Sequence, residues 1–276
     1  MLTLLALLLA QTATAEPPAV TVTREVAYRE ADGDELIDRM CRLDVQTPSG
    51  ADSLPVVVWF HGGGLTAGGR HFPDRSERAD AVVMAADYRL SPDVKVVACL
   101  DDAAAAVAWA IDHAAEFGGD PELVFVAGHS AGGYLASMVG LDPKWLAAHG
   151  HAPDELAGLV PYSGHSITHF TVRKERGIPQ ERAVVDELAP LWHVRKDAPP
   201  MLLITGDRDL ELLGRYEETA YFWRMMQVVG HPDCELLELE GFDHGGMAPV
   251  STPLLMRFVA RRSREVREQR SAQATP

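Results

Sequence analysis

Four residues have the types and the spacing to act together: Ser130, Asp207, Asp209 and His244. Ser130 stands in Gly128-His129-Ser130-Ala131-Gly132-Gly133, between the apolar run at 124–127 and a helix-forming stretch. A serine at the apex of a sharp strand-to-helix turn needs small neighbours, because strand and helix pass close behind it. The turn lifts the hydroxyl clear of the sheet, and the first N–H groups of the new helix, which lack intrahelical partners, can face an anion. A serine hydroxyl is a poor nucleophile near neutrality. It needs a histidine to take its proton and a carboxylate to fix the histidine's tautomer. Ser130, then Asp207 or Asp209, then His244 supply that set in order. A second apolar run, 54–60, ends at His61-Gly62-Gly63-Gly64. Three consecutive glycines there let backbone N–H groups come close to a ligand.

These residues need a scaffold that gathers them. Continuous apolar runs at 54–60, 81–87, 124–127, 157–163, 200–205 and 235–239 read as strands buried on both faces. Residues 19–28 and 41–46 read as an antiparallel edge, with Asp32-Gly33-Asp34 as the turn between them. Helices are expected over 96–117, with Val97, Leu100, Ala104, Val107, Ala108 and Ile111 on one stripe. Further helices are expected from Ser130 to about 140, over 144–149, from about 213 to 229, and over 252–269. The alternation of strand and helix predicts an α/β domain, a mostly parallel sheet flanked by helices on both faces. The glycine run, Ser130, the two aspartates and His244 each follow a strand. They therefore meet at the carboxyl edge of the sheet, where such sheets bind ligands. Residues 164–195 keep no long period apart from a possible helix over 180–188, and read as an insertion that can cover the site as a lid.

The chain has 276 residues and a net charge of -15, which speaks against a general nucleic-acid binder. With no linker and no internal repeat, 16–276 reads as a single domain. Residues 1–15 read as a signal peptide: an apolar run, then Ala13-Thr14-Ala15 as the cleavage site, although no Lys or Arg precedes the run. The expected location is secreted or periplasmic. The run is too short to span a bilayer easily, so no membrane span is expected in the mature chain. Of Cys41, Cys99 and Cys234, an odd number, at least one stays unpaired in an exported protein, and Cys99 reads as a core residue. None has a metal-binding or redox context, so neither a metal nor another cofactor is expected.

Taken together, His61-Gly62-Gly63-Gly64, Asp87-Tyr88-Arg89-Leu90-Ser91-Pro92, Gly118-Gly119-Asp120-Pro121, the Ser130 turn, Gly206-Asp207-Arg208-Asp209 and Gly241-Phe242-Asp243-His244 carry a resemblance. Over residues 54–250 the chain is similar to α/β-hydrolases of the hormone-sensitive-lipase-like and bacterial carboxylesterase branch. The resemblance implies the α/β-hydrolase fold, with a small insertion after the strand ending near Ser163. It implies Ser130 as nucleophile and His244 as general base. A G-x-x-D pattern after the strand selects Asp209 over Asp207 as the acid, leaving Asp207 as a turn residue. The oxyanion hole would use backbone N–H groups of Ala131, Gly63 and Gly64. Asp87, Arg89 and Asp120 would be structural. The lipase-like members carry an N-terminal helical cap, which two edge strands replace here. Leu65 stands where an aromatic residue often follows the glycines, and His129 where an acidic or small residue is common. Leu65, His129, Tyr134 and Phe170 are the expected substrate-binding residues. The implied activity is hydrolysis of small or short-acyl carboxylic esters through an acyl-enzyme, with a small-molecule ester as partner. The alternatives are an arylformamidase-like amide hydrolase and a catalytically silent binding protein.

Overall fold

A computed structural model describes residues 19–273 except 79 and 213. The predicted leader, 1–15, lies outside the described residues. Strands β1 (Val20–Ala27), β2 (Arg42–Pro48), β3 (Leu54–Phe60), β4 (Val82–Ala86), β5 (Gly119–His129), β6 (Leu156–Tyr162), β7 (Met201–Gly206) and β8 (Cys234–Leu239) form one sheet. Its order is β1-β2-β4-β3-β5-β6-β7-β8. β2 runs antiparallel to both β1 and β4, and every other pairing is parallel. The expected antiparallel edge on a mostly parallel sheet is therefore present.

The apolar runs are continuous because both faces of the sheet are covered. Val56, Val58 and Phe60 of β3 pack into one cluster with helices α2 (Val96–His113) and α3 (Ala131–Leu141). Val57 and Trp59 pack into the other, with Leu255, Phe258 and Val259 of the closing helix. Of the expected stripe on α2, Leu100, Ala104, Val107, Ala108 and Ile111 are buried and only Val97 is exposed, at 50%; Val96, Cys99 and Ala103 are buried beside them. The helix tightens into a 3-10 turn, Ala114–Phe117, and stops at Gly118, whose φ of 75° is the left-handed conformation glycine adopts freely.

A short helix, α1 (Glu35–Met40), lies between β1 and β2. Asp34, read as part of a turn, caps it by accepting from the N–H groups of Leu36 and Ile37. The helix buries none of its residues, so no apolar stripe announced it. The remaining helices are α4 (Pro143–Ala147), α5 (Phe170–Glu175), α6 (Arg215–Val228) and α7 (Met247–Gln273). α7 begins at Met247 rather than 252. No helix forms over 180–188. That stretch is held by turns, by Thr168 N–H donating to the Val184 carbonyl, and by Arg176 pairing with Asp186.

Cys41, Cys99 and Cys234 are all free thiols, each pushed up to about 12 by burial. Among the described residues no helix is long and apolar enough to cross a membrane.

Candidate active site

Ser130 stands alone between β5 and α3 with φ 56° and ψ -113°, a conformation that costs a non-glycine residue about 1–3 kcal/mol. The neighbours explain how it is held. A Cβ on Gly128 would come 2.7 Å from the Phe60 carbonyl oxygen, and one on Gly132 would come 2.6 Å from the Phe60 carbonyl carbon. Only glycine lets β3, β5 and α3 approach this closely. The Ser130 N–H donates to the Tyr162 carbonyl (2.8 Å), and its carbonyl accepts from the Tyr134 N–H (3.0 Å). Both ends of the turn are thereby fixed to the sheet and helix.

The glycine loop after β3 lies against this turn. A Cβ on Gly62 would stand 3.3 Å from the Ser130 Cβ. Gly63 (φ 109°) and Gly64 (φ 65°) both take left-handed conformations. Their carbonyls are turned to other partners. That of Gly63 accepts from the N–H groups of Thr66 and Ala67, and that of Gly64 from Thr171 Oγ1 (2.5 Å). Among the described residues no protein acceptor takes the N–H of Gly63, Gly64 or Ala131. The three donors expected for an oxyanion hole are thus open.

His244 follows β8, and its acidic partner differs from the expected one. His244 Nδ1 lies 2.9 Å from Glu211 Oε2, not against Asp209. The turn after β7 gives the reason. The N–H groups of Leu210 and Glu211 both donate to the Asp207 carbonyl (3.0 and 2.8 Å). This single helical turn swings Asp209 into solvent and carries Glu211 back over the strand end. There Glu211 Oε1 accepts from the Gly206 N–H (3.0 Å). The Glu211 side chain is 1% exposed, whereas Asp209 is exposed. Asp207 is the turn residue it was expected to be. Its carboxylate accepts from the N–H groups of Asp209 and Gly241, tying the β7 turn to the loop that carries His244. Burial pushes the Glu211 carboxyl up, but hydrogen bonds from His244, Ser163 and the Gly206 N–H outweigh it and hold it at about 2.

Two further residues join this arrangement, neither of them among those expected from the sequence. Ser163 Oγ lies 3.0 Å from His244 Nδ1. Ser163 has φ 44°, and its carbonyl accepts from the guanidinium of buried Arg215. Ser163 had a signal, a polar residue directly after a buried strand, but Arg215 had none.

The expected substrate-binding residues divide. Leu65 is fully buried in the core, and its carbonyl accepts from the Ser91 N–H. Tyr134 is also fully buried, and its hydroxyl donates to the Leu188 carbonyl (2.8 Å). Neither side chain is open to solvent or lines the large cleft beside Phe170. His129 lies behind His244, with ring centroids 4.7 Å apart and Nε2 2.8 Å from the His244 carbonyl. Burial, reinforced by the nearby His244, drives it down to about 4, so it is neutral at pH 7 and holds the His244 backbone. Of the four, Phe170 lines a cleft of about 730 Å³, shared with His165, Ile167, Leu212, Arg215 and Glu218. A Cβ on Gly64 would stand 3.0 Å from the Phe170 ring, so the cleft adjoins the glycine loop. A second cavity, about 510 Å³, lies among Pro121, Leu156 and Pro200, at the opposite end of the strands from Ser130.

The insertion, 164–195, is tied down along its length. Thr171 bonds Gly64, Leu188 bonds Tyr134, and Glu175 accepts from the Val96 N–H (3.0 Å) and Ser91 Oγ (3.3 Å). The residues expected to be structural are engaged as such. Asp87 pairs with Arg70, Arg89 forms a two-pronged bond to buried Asp102 (2.8 Å each), and Asp120 pairs with Arg270. Among the described residues no group of three or more His, Cys, Asp or Glu is placed to hold a metal ion.

Residues 57–183 match a family described by its alpha/beta hydrolase fold. Carboxylesterase NlhH of Mycobacterium tuberculosis is 40% identical over 128 residues, which are 45% of this chain and 40% of the relative. Esterase LipC of the same organism is 29% identical over 245 residues, 80% of this chain and 59% of the relative. The chain thus spans about two fifths of the first relative's length and three fifths of the second's. Among solved structures, Thermogutta terrifontis esterase 2 with propionate bound superposes with a TM-score of 0.68 at 25% identity, covering 91% of this chain and 96% of that one. The matched segment, the order of the eight strands and the serine turn between β5 and α3 show that this chain has the α/β-hydrolase fold.

Proposed function

We propose that the chain is a serine carboxylic-ester hydrolase that acts on small, short-acyl esters through an acyl-enzyme. The observation that carries this reading is the Glu211–His244 pair at the strand edge that also presents Ser130 and three open N–H donors. Glu211, held anionic, accepts the Nδ1–H of His244 and so leaves Nε2 free as the base. His244 takes the Ser130 proton as Oγ attacks the ester carbonyl. The resulting oxyanion is met by the N–H groups of Gly63, Gly64 and Ala131, where a single such donor typically contributes about 3 kcal/mol to transition-state stabilisation. His244 then protonates the leaving alcohol, and water, activated by the same imidazole, clears the acyl group from Ser130.

The relatives support ester rather than amide chemistry by name, and esterase 2 of Thermogutta terrifontis has been solved with propionate and with butyrate bound. Both are short acids, in keeping with a short acyl group. The test is hydrolysis of 4-nitrophenyl acetate by wild type and Ser130→Ala, with fluorophosphonate labelling of each. Turnover and labelling by the wild type alone are expected. Equal rates for the two proteins would overturn the proposal.

A further inference from the structure

The floor of the cleft beside Phe170 holds two buried guanidinium groups, those of Arg173 and Arg215, that are not ion-paired among the described residues. Arg173 and Arg215 both line it and are 3% and 2% exposed. Each guanidinium is held at one nitrogen by a backbone carbonyl, Arg173 by that of Arg182 (2.6 Å) and Arg215 by that of Ser163. Among the described residues no carboxylate lies within 4.0 Å of either guanidinium. The Nε atoms of both are buried with no hydrogen-bond partner, as is Nε2 of His165 beside them. The carboxylate on this floor, Glu218, is already engaged. It accepts from His165 Nδ1 (2.8 Å) and from the N–H groups of Ser166 (3.1 Å) and Ile167 (3.5 Å). Glu181 and Glu217 also line the cleft but are exposed, where water screens them.

A buried guanidinium without a counter-charge is costly, and its natural complement is a planar anion that accepts two N–H groups at once. Glu218, Glu211 and Glu181 attract the two guanidiniums from a distance without pairing with them. A singly charged, flat carboxylate fits a guanidinium edge under these conditions, whereas a phosphate dianion would bring a second negative charge against Glu218 and Glu211. The walls of the cleft are in contact with the residues around Ser130 and His244 on two sides. Phe170 touches the glycine loop at Gly64, and Arg215 holds Ser163, whose hydroxyl contacts His244.

We propose that this cleft binds a carboxylate carried by the substrate, so that the preferred esters are those bearing a free carboxylate on the acyl or the alcohol side. The proposal rests on the esterase reading. The substrate carboxylate docks against Arg173 and Arg215, the apolar walls at Ile167, Phe170 and Leu212 receive the linking carbons, and the ester reaches Ser130 past the glycine loop.

The experiment compares two matched pairs. Mono-4-nitrophenyl glutarate is set against 4-nitrophenyl 5-methylhexanoate, in which isopropyl replaces the carboxylate. 4-Acetoxybenzoate is set against 4-isopropylphenyl acetate. Wild type is expected to favour the charged member of at least one pair by about tenfold or more in kcat/KM. That ratio, measured within each protein, should collapse toward unity in Arg173→Met and be partly kept in Arg173→Lys. No charged preference in either pair would overturn the carboxylate site, even where 4-nitrophenyl acetate is turned over. So would a preference that Arg173→Met leaves intact. Should Arg173→Met not fold, the wild-type ratios and Arg173→Lys still decide. Failure on 4-nitrophenyl acetate itself would instead strike the esterase reading.

Discussion

His244 Nδ1 faces two oxygens at once, Glu211 Oε2 at 2.9 Å and Ser163 Oγ at 3.0 Å. The Ser163 hydroxyl also bonds the Glu211 carboxylate, so the three side chains brace one another. Ser163 does not touch the position of the reacting atoms. It acts through His244 and Glu211, as a positioning residue. Ser163→Ala should lower kcat about tenfold while leaving KM within about twofold, because a misaligned imidazole weakens the transition state more than ground-state binding. Steady-state kinetics on 4-nitrophenyl acetate check this, and an unchanged kcat would show that Glu211 alone fixes the ring.

His129 ties stability to pH. Its folded value, about 4, lies below the ordinary histidine value of 6.5, because burial disfavours the charged ring. A depressed histidine binds its proton more readily in the unfolded chain. The stability it supports is therefore complete above pH 6.5 and is lost as pH falls from 6.5 toward 4. His129→Gln keeps an N–H donor for the His244 carbonyl and removes the titration. Urea unfolding at steps between pH 7.5 and 4 should show a shallower decline for His129→Gln than for wild type. Parallel declines would contradict the neutral, buried assignment.

Gly132 is required by backbone on the facing strand. A methyl group there meets the carbonyls of Phe60 and His61, which cannot rotate away as a side chain can. Gly132→Ala should cost about 1–3 kcal/mol of stability and most of the ester turnover, since the strain falls on the Ser130 turn. Gly150→Ala is the control. Its added methyl meets nothing within 4 Å and pays only for a φ of 85°. Chemical denaturation of the two variants side by side should rank Gly132→Ala as the more damaged. Equal losses would mean that the close approach at Gly132 is not limiting.

Much of this is legible in the sequence. Strands such as β3 announced themselves because burial on both faces leaves an unbroken apolar run, and the serine turn because its glycines are forced by backbone contact. The edge of the sheet to which the reacting groups belong followed from their places after the strands. What escaped depended on rotation rather than on order. Asp207, Asp209 and Glu211 lie on one loop, and only the helical turn closed by the Asp207 carbonyl decides which carboxylate points back to the sheet. Leu65, Tyr134 and His129 neighbour the motifs in sequence, yet two are core residues and the third lies behind His244. The short helix α1, with no buried face, left no periodic trace.

The central claim is that Glu211 is the carboxylate that orients His244, and it separates cleanly from the alternative on the same loop. Measured on 4-nitrophenyl acetate, Glu211→Gln should lose about a thousandfold or more in kcat, because a neutral amide no longer holds the imidazole in its working tautomer or stabilises its cation. Asp209→Asn, altering an exposed carboxylate, should stay within about twofold of wild type. The reverse ranking, with Asp209→Asn inactive and Glu211→Gln near wild type, would contradict the account.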